Sequence, residues 1–157
     1  DASYGWSFNG SSNYLKTGIF FNTTCSHIVR FSNAVSGAGT SLYGSTYWDN
    51  IRIMPSYGAD YVYYQNGGPG SSTPSPKLLT GVLGIAGLQP YRDGSADGSP
   101  ISSSWNGSNP TDIWIGCWNL QGSANGLSQV KIQAIAFYNT ALTGTQMAAV
   151  TTAMNLL

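Results

Sequence analysis

Side chains alternate between apolar and polar along several short stretches of this chain, with a period of two residues. In residues 23–32 the apolar face carries Cys25, His27, Val29 and Phe31, whereas the other face carries mostly Ser, Thr and Arg. Successive side chains of a strand point to opposite faces, so this pattern is typical of a half-buried antiparallel strand. The alternation predicts an all-β protein.

The stretch that ends at Trp118 alternates in the same way. Ile113, Ile115 and Cys117 fall on one face, and Trp114 and Trp118 fall on the other. Many short strands separated by Asn-Gly and Asp-Gly turns favour a β-sandwich over an α/β fold, and we expect one domain over residues 1–157. The further predicted strands are 4–9, 13–21, 40–46, 50–54, 60–65, 78–88 and 129–139.

One helix is predicted, at the C-terminal end of the chain. Thr143 and Gln146 have the spacing of a capping box, in which each side chain bonds the backbone N–H of the other. The apolar stripe of the helix consists of Met147, Val150, Thr151 and Met154.

Two long stretches, 66–77 and 94–111, are rich in Gly, Ser and Pro and are predicted to hold little regular structure.

Charge and hydropathy exclude several classes of partner. Lys and Arg total 6, and Asp and Glu total 6, so the formal net charge is zero and electrostatic capture of nucleic acid is not expected. No apolar run approaches the length of about 18 residues that a membrane-spanning helix requires, so we expect no membrane insertion. The chain opens with Asp1 rather than Met and without a signal-like segment, and we expect a processed chain or an excised module.

The acidic residues argue against hydrolytic chemistry. All six are Asp, and Asp93 and Asp97, the closest pair, each precede a Gly, which favours a turn over a catalytic carboxylate. His27 is the single histidine, and its place on an apolar face favours a packed strand residue over a catalytic base. The residues therefore predict that the chain is not an enzyme.

Two cysteines leave two alternatives open. Cys25 and Cys117 both fall on the inward face of a predicted strand, where they form either a disulfide or two small buried apolar side chains. With one histidine and no closely spaced cysteine pair, a structural zinc site is not expected.

Four segments, in order, resemble the laminin-G-like domains of the concanavalin-A-like lectin/glucanase superfamily. Residues 8–15 resemble the opening F-D-G-x-x-x-Y-[VL] motif, 91–94 the central Y-x-D-G hairpin and 113–116 the [LI]-x-I-G strand. Residues 135–147 are similar to the closing signature V-R-[IV]-Y-N-R-A-L-[ST]-x-x-[EQ]-[IM], which is the most specific of the four. Together they span nearly the whole chain.

The resemblance implies a jelly-roll sandwich of two curved antiparallel sheets. Calcium is the common ion of this family, but the scattered Asp residues give it weak support here, and no cofactor is expected. Asn9 replaces the usual Asp of the opening motif, Gln133 replaces a usual acidic residue, and the paired Glu of the superfamily's glucanases is absent. The resemblance therefore supports the fold more than an activity.

Tryptophans provide the strongest positive signal for a ligand site. Aromatic walls combined with a few polar groups are the general design of ligand pockets, and sugars lay their apolar faces on such rings. Trp105 lies in the polar loop 94–111, and Trp118 lies at a strand end next to Asn119. We expect Trp105, Trp118 and Asn119 to contact sugar, and Trp114 is a weaker candidate for the same role.

Two residues of the Y-x-D-G hairpin, Tyr91 and Asp93, complete the predicted ligand site. The tyrosines within residues 57–64 are interpreted instead as strand-packing residues.

Three functions are weighed. The first is a non-catalytic module that binds a glycan or cell-surface receptor, displayed outside a cell or on a virion. The second is a structural or decorating domain that contacts other subunits of a larger assembly, such as a phage tail or head fibre. A glycoside hydrolase is third, because the sandwich fold alone does not decide among enzymes, lectins and scaffolds.

Overall fold

The structure is a computed structural model, and one α-helix follows a series of short strands in it. It describes residues 4–36, 40–46, 50–58, 61–67, 75–102 and 110–157. The strands are β1 (Trp6–Asn9), β2 (Leu15–Lys16), β3 (Ser26–Ser32), β4 (Tyr43–Thr46), β5 (Asn50–Tyr57), β6 (Tyr61–Asn66), β7 (Gly81–Ala86), β8 (Gln89–Arg92), β9 (Ser95–Ala96), β10 (Trp114–Ile115), β11 (Trp118–Leu120), β12 (Ser123–Asn125) and β13 (Gln129–Tyr138), and the helix is α1 (Gly144–Asn155).

The strands form two sheets that pack face to face. The first sheet is antiparallel throughout, in the order β1-β13-β3-β7-β8-β9. The second sheet is built around β4, which pairs with β5 on one side and with β10 and β11 on the other. Its outer strands are β6, β2 and β12, and its β4–β11 pair is parallel. The fold is the predicted all-β jelly-roll sandwich with a C-terminal helix.

Fully buried apolar side chains fill the space between the sheets. Phe31 and Ile132 of the first sheet and Ile51, Ile53 and Tyr64 of the second have no exposed surface. Each large apolar side chain buried in this way contributes roughly 1.5–3 kcal/mol. The alternation that predicted the strands also identified which residues face this core.

The helix begins as the capping box predicts and covers the outer face of the first sheet. Thr143 is the N-cap, with both reciprocal hydrogen bonds to Gln146 in place. Met147, Thr151 and Met154 are buried on the inward side of the helix. Met147 and Met154 belong to a second apolar cluster whose other buried members are Ile28, Val82, Ala86 and Tyr91.

The first and last strands of the chain lie side by side. β1 pairs antiparallel with β13, from Trp6 opposite Ile132 to Asn9 opposite Gln129. Some predicted bounds are wrong: the strand predicted at 13–21 is reduced to the two residues of β2. Strands β8 and β9 were missed because their turn residues dominate the local sequence.

His27 is the packed strand histidine that the alternation predicts. It is fully buried, and its Nδ1 shares a hydrogen bond with the hydroxyl of Tyr43. Burial lowers the pKa of His27 from 6.5 to about 3, so the ring is neutral at physiological pH. Cys25 and Cys117 are both buried free thiols, so the disulfide alternative is not formed in this structure.

Candidate functional site

The outward face of the second sheet carries one row of residues in register across five strands. From β2 to β6 the row consists of Lys16, Trp114, Gly44, Arg52 and Gln65. Residues directly opposite each other in paired strands point to the same face. The neighbours of Arg52 along β5 belong to the core, so the row faces away from it.

Trp114 is covered although it lies on this outward face. The ring of Tyr14 stacks on it with the centroids 4.8 Å apart, and the Nζ of Lys16 lies 4.5 Å from its centroid. Its indole N–H donates to Asp112 Oδ1 at 3.0 Å. Trp114 is consequently 2% exposed, so a ligand would contact the neighbouring rings, such as that of Tyr14, rather than Trp114 itself.

Arg52 joins Trp118 of β11 to Tyr63 of β6. Its guanidinium carbon lies 4.8 Å from the ring centroid of Trp118 and 5.5 Å from that of Tyr63. Its Nε donates to Gln65 Oε1 at 2.7 Å, which fixes the plane of the guanidinium group. Trp118, Arg52 and Tyr63 are all half-buried, with part of each side chain in contact with solvent.

Two further tyrosines continue this surface. The ring of Tyr57 lies 5.0 Å from that of Tyr63 and 5.6 Å from that of Tyr61, measured between centroids. Tyr57 is 37% exposed. We call the whole surface the aromatic band. Its members are Tyr14, Lys16, Arg52, Tyr57, Tyr61, Tyr63, Trp114 and Trp118.

A glycine at the centre of the row permits the close approach of the band's members. A Cβ atom added at Gly44 would lie 2.9 Å from the Cβ of Trp118 and 2.9 Å from the Cβ of Arg52. It would also lie 2.8 Å from the carbonyl oxygen of Ile51. Any larger residue at this position would displace either Trp118 or Arg52.

Asn119 lies beneath the band rather than on it. It is 2% exposed, and its amide donates to Oδ1 of Asp112 at 2.9 Å and to the backbone carbonyl of the same residue at 3.0 Å. Its side-chain oxygen accepts from the N–H of Gly122 at 2.7 Å. The geometry makes Asn119 a positioning residue that ties β11 to the segment preceding Trp114.

Tyr91 and Asp93 lie on the other sheet from Trp118. Tyr91 is 9% exposed and packs in the apolar cluster under the helix. Asp93 has a positive φ of 47°, and its Oδ1 accepts from the N–H of Val82 at 2.9 Å. The predicted site residues are therefore not brought together in one place, and Trp105 lies outside the described residues.

The tyrosines of the band are the functional candidates that the sequence interpretation missed. Within β6, Val62 and Tyr64 are buried in the core, so Tyr61 and Tyr63 point to the opposite face. The same period-two alternation was available in the sequence. Tyr64 packs in the core, whereas Tyr57, Tyr61 and Tyr63 pack on one another across β5 and β6.

The described aspartates are all engaged in structural hydrogen bonds. Oδ1 of Asp93 accepts from a backbone N–H, and Oδ2 of Asp97 accepts from the hydroxyl of Tyr64 at 2.8 Å. Asp112 accepts from Trp114, from Asn119 and from the N–H of the glycine at position 18. Within the described ranges, no three His, Cys, Asp or Glu side chains lie close enough to hold a metal ion.

A shallow pocket adjoins the band at the edge of the sandwich. It has a volume of about 330 Å³ and is lined by Trp6, Tyr14 and Leu15 among others. Trp6 is 50% exposed, and Tyr14 is shared between this pocket and the band. The aromatic surface thus continues from the second sheet to the edge strand β1.

Comparisons with known proteins identify the fold. No family model matches the chain, and no curated protein matches it. A native heptameric SAP-like pentraxin from Limulus polyphemus superimposes with a TM-score of 0.67 at 12% identity, over 92% of this chain and 80% of the pentraxin. That pentraxin is a jelly-roll β-sandwich. This chain has the same jelly-roll β-sandwich fold.

Two other solved structures give the same result. Domain 4 of a GH43 extracellular arabinanase from Geobacillus stearothermophilus, in complex with arabinotriose, matches with a TM-score of 0.64 at 15% identity. The match covers 92% of this chain and 75% of the arabinanase domain. A Trypanosoma rangeli sialidase in complex with 2,3-difluorosialic acid matches with a TM-score of 0.61 at 17% identity over 85% of this chain. The chain spans only 23% of that sialidase.

Proposed function

We propose that this chain is a non-catalytic glycan-binding module of laminin-G-like type, and that the glycan lies along the aromatic band. The observation that carries the proposal is the continuity of the band. From Trp118 through Arg52 and Tyr63 to Tyr57, each group lies within 5.5 Å of the next. Partly exposed rings in a row offer stacking surfaces for the apolar faces of successive sugar units.

The hydrogen bonds of the described aspartates support binding rather than turnover. The carboxylates of Asp93, Asp97 and Asp112 accept hydrogen bonds from the fold itself, whereas glycoside hydrolysis needs two carboxyl groups facing a scissile bond. The arabinanase domain, and the sialidase of which 23% matches this chain, were both solved with sugar-type ligands. A module of this kind would be displayed outside a cell or on a virion surface, with a glycan or cell-surface receptor as its partner.

The test is a glycan array probed with the purified chain, with and without calcium. We expect a saturable signal that Trp118→Ala and Tyr57→Ala each weaken. Phe20→Ala removes an aromatic ring that is 58% exposed outside the band, and it should leave the signal unchanged. If no glycan binds under either condition, the proposal is wrong. A signal that requires calcium would add an ion to the site.

An assembly role is the second candidate, and one observation favours it. Five large apolar side chains are exposed in or beside the edge strands β1 and β2. Exposed apolar clusters and open strand edges mark surfaces that associate with other chains. Sedimentation equilibrium at micromolar concentration tests it, because obligate oligomers would favour this role and a monomer would count against it. The five are Tyr4, Trp6, Leu15, Ile19 and Phe20.

A further inference from the structure

Both basic side chains of the aromatic band lie against tryptophan rings. The Nζ of Lys16 is 4.5 Å from the centroid of Trp114, and the guanidinium carbon of Arg52 is 4.8 Å from that of Trp118. Within the part of the chain that the structure describes, neither side chain makes an ion pair. A cation on an aromatic face keeps its charge available to a ligand.

Arg52 is oriented by the protein and still has donors to spare. Its Nε is used by Gln65, whereas its two terminal nitrogens have no acceptor among the described residues. Trp118 and Tyr63 flank the guanidinium group and remove part of its hydration. A planar, half-desolvated and pre-oriented guanidinium group matches the geometry of a carboxylate or a sulfate.

The carboxylate of Asp112, which contacts Trp114, is already engaged by hydrogen-bond donors of the fold. Asp112 accepts from the indole N–H of Trp114 at 3.0 Å, the amide of Asn119 at 2.9 Å and the N–H of Gly18 at 3.1 Å. The net charge of the chain is zero, so an attraction to anions would come from this face rather than from the whole molecule.

We propose that the glycan bound by the band is acidic, carrying carboxylate or sulfate groups that pair with Arg52 and Lys16. This inference rests on the proposed function. The two residues lie in one row three strand spacings apart, or about 14 Å between backbones, so a polymer with repeated acidic groups contacts both.

The experiment measures the affinity of the intact chain for three polymers at low and at high salt. Polygalacturonate supplies carboxylates, dextran sulfate supplies sulfates, and dextran is neutral. We expect one acidic polymer to bind at least tenfold more tightly than dextran, and the tighter of the two names the acid. Salt at about 1 M should abolish most of this preference, because the screening length falls to about 3 Å.

Charge-removing variants locate the effect. Arg52→Gln and Lys16→Gln should each weaken binding of the acidic polymer, by about tenfold for Arg52→Gln. Arg52→Lys keeps the charge without the planar fork and should weaken it less than Arg52→Gln. Lys131→Gln removes the same charge from the first sheet and is the matched control. Melting curves of all variants confirm that each one folds.

The outcomes separate the two proposals. A preference for an acidic polymer that Arg52→Gln and Lys16→Gln reduce, and Lys131→Gln does not, supports the inference. An equal loss with Lys131→Gln overturns it, because the attraction would then be general. Tight binding of a neutral glycan, unchanged in Arg52→Gln and Lys16→Gln, overturns the inference while leaving glycan binding intact. Failure of every glycan to bind overturns the proposed function itself.

Discussion

At the scale of single residues, His27 couples the stability of the core to pH. The ring is fully buried, its Nδ1 is hydrogen-bonded to the hydroxyl of Tyr43, and its Nε2 has no hydrogen-bond partner among the described residues. Burial lowers its pKa to about 3, so the folded chain stays neutral at this site while the unfolded chain takes up a proton below pH 6.5. Stability is therefore present above pH 6.5 and is lost as the pH falls toward 3.

The lowered pKa of His27 predicts a measurable dependence of stability on pH. Between pH 7.5 and pH 5 the free energy of unfolding should fall by about 2 kcal/mol, because each unit of pKa difference corresponds to about 1.4 kcal/mol. Urea denaturation at several pH values measures it. His27→Gln can still bond the hydroxyl of Tyr43 but does not titrate, so its slope should be nearly flat over this range. An unchanged slope in His27→Gln would contradict the assignment.

Gly44 is the residue on which the geometry of the band most depends. Gly44→Ala should destabilise the chain by roughly 1–3 kcal/mol, because the new methyl group overlaps Trp118, Arg52 and a backbone carbonyl. It should also shift the tryptophan fluorescence and weaken glycan binding. Chemical denaturation measures the first effect. Gly144→Ala is the control: its added Cβ would be 3.4 Å from the nearest atom, and it should cost nothing. Equal stability of the two variants would contradict the account.

At the scale of elements, the capping box fixes where the helix begins. Gln146 N–H donates to the Thr143 hydroxyl at 3.3 Å, and the Thr143 N–H donates to Gln146 Oε1 at 2.8 Å. Thr143→Ala should lower stability by about 1 kcal/mol. In a chain of this size the melting temperature should fall by about 2–4 °C. Thr152→Ala alters an exposed threonine in the same helix and should change it less, and equal shifts would mean that the cap is not specific.

Elements were predictable where a local pattern decides them. Alternation around Val29 and Ile115 identified strands and their inward faces, and the Thr143–Gln146 spacing identified the helix start. Lengths were less predictable, because the ends of strands depend on their partners. The long stretch predicted at 13–21 keeps only two paired residues, since β2 pairs with an equally short β10.

At the scale of the whole molecule, the sequence could indicate faces but not neighbours. It placed Trp118 on an outward face, but it could not indicate that Arg52, 66 positions earlier, lies against its ring. It grouped Tyr91 and Asp93 with Trp118, whereas the topology places Tyr91 and Asp93 on the first sheet and Trp118 on the second. The pairing of β4 with β5, β10 and β11 creates the band, and no local pattern encodes that pairing.

The central claim is that glycan binds along the aromatic band of the second sheet. The most direct measurement is the change in amide and side-chain NMR shifts of the isotopically labelled chain on titration with the glycan that binds best. The account predicts the largest shifts at the indole N–H of Trp118, the Nε of Arg52 and the backbone of β5 and β6. Shifts concentrated around Tyr91 and Asp93, with those of Trp118 and Arg52 unchanged, would contradict it.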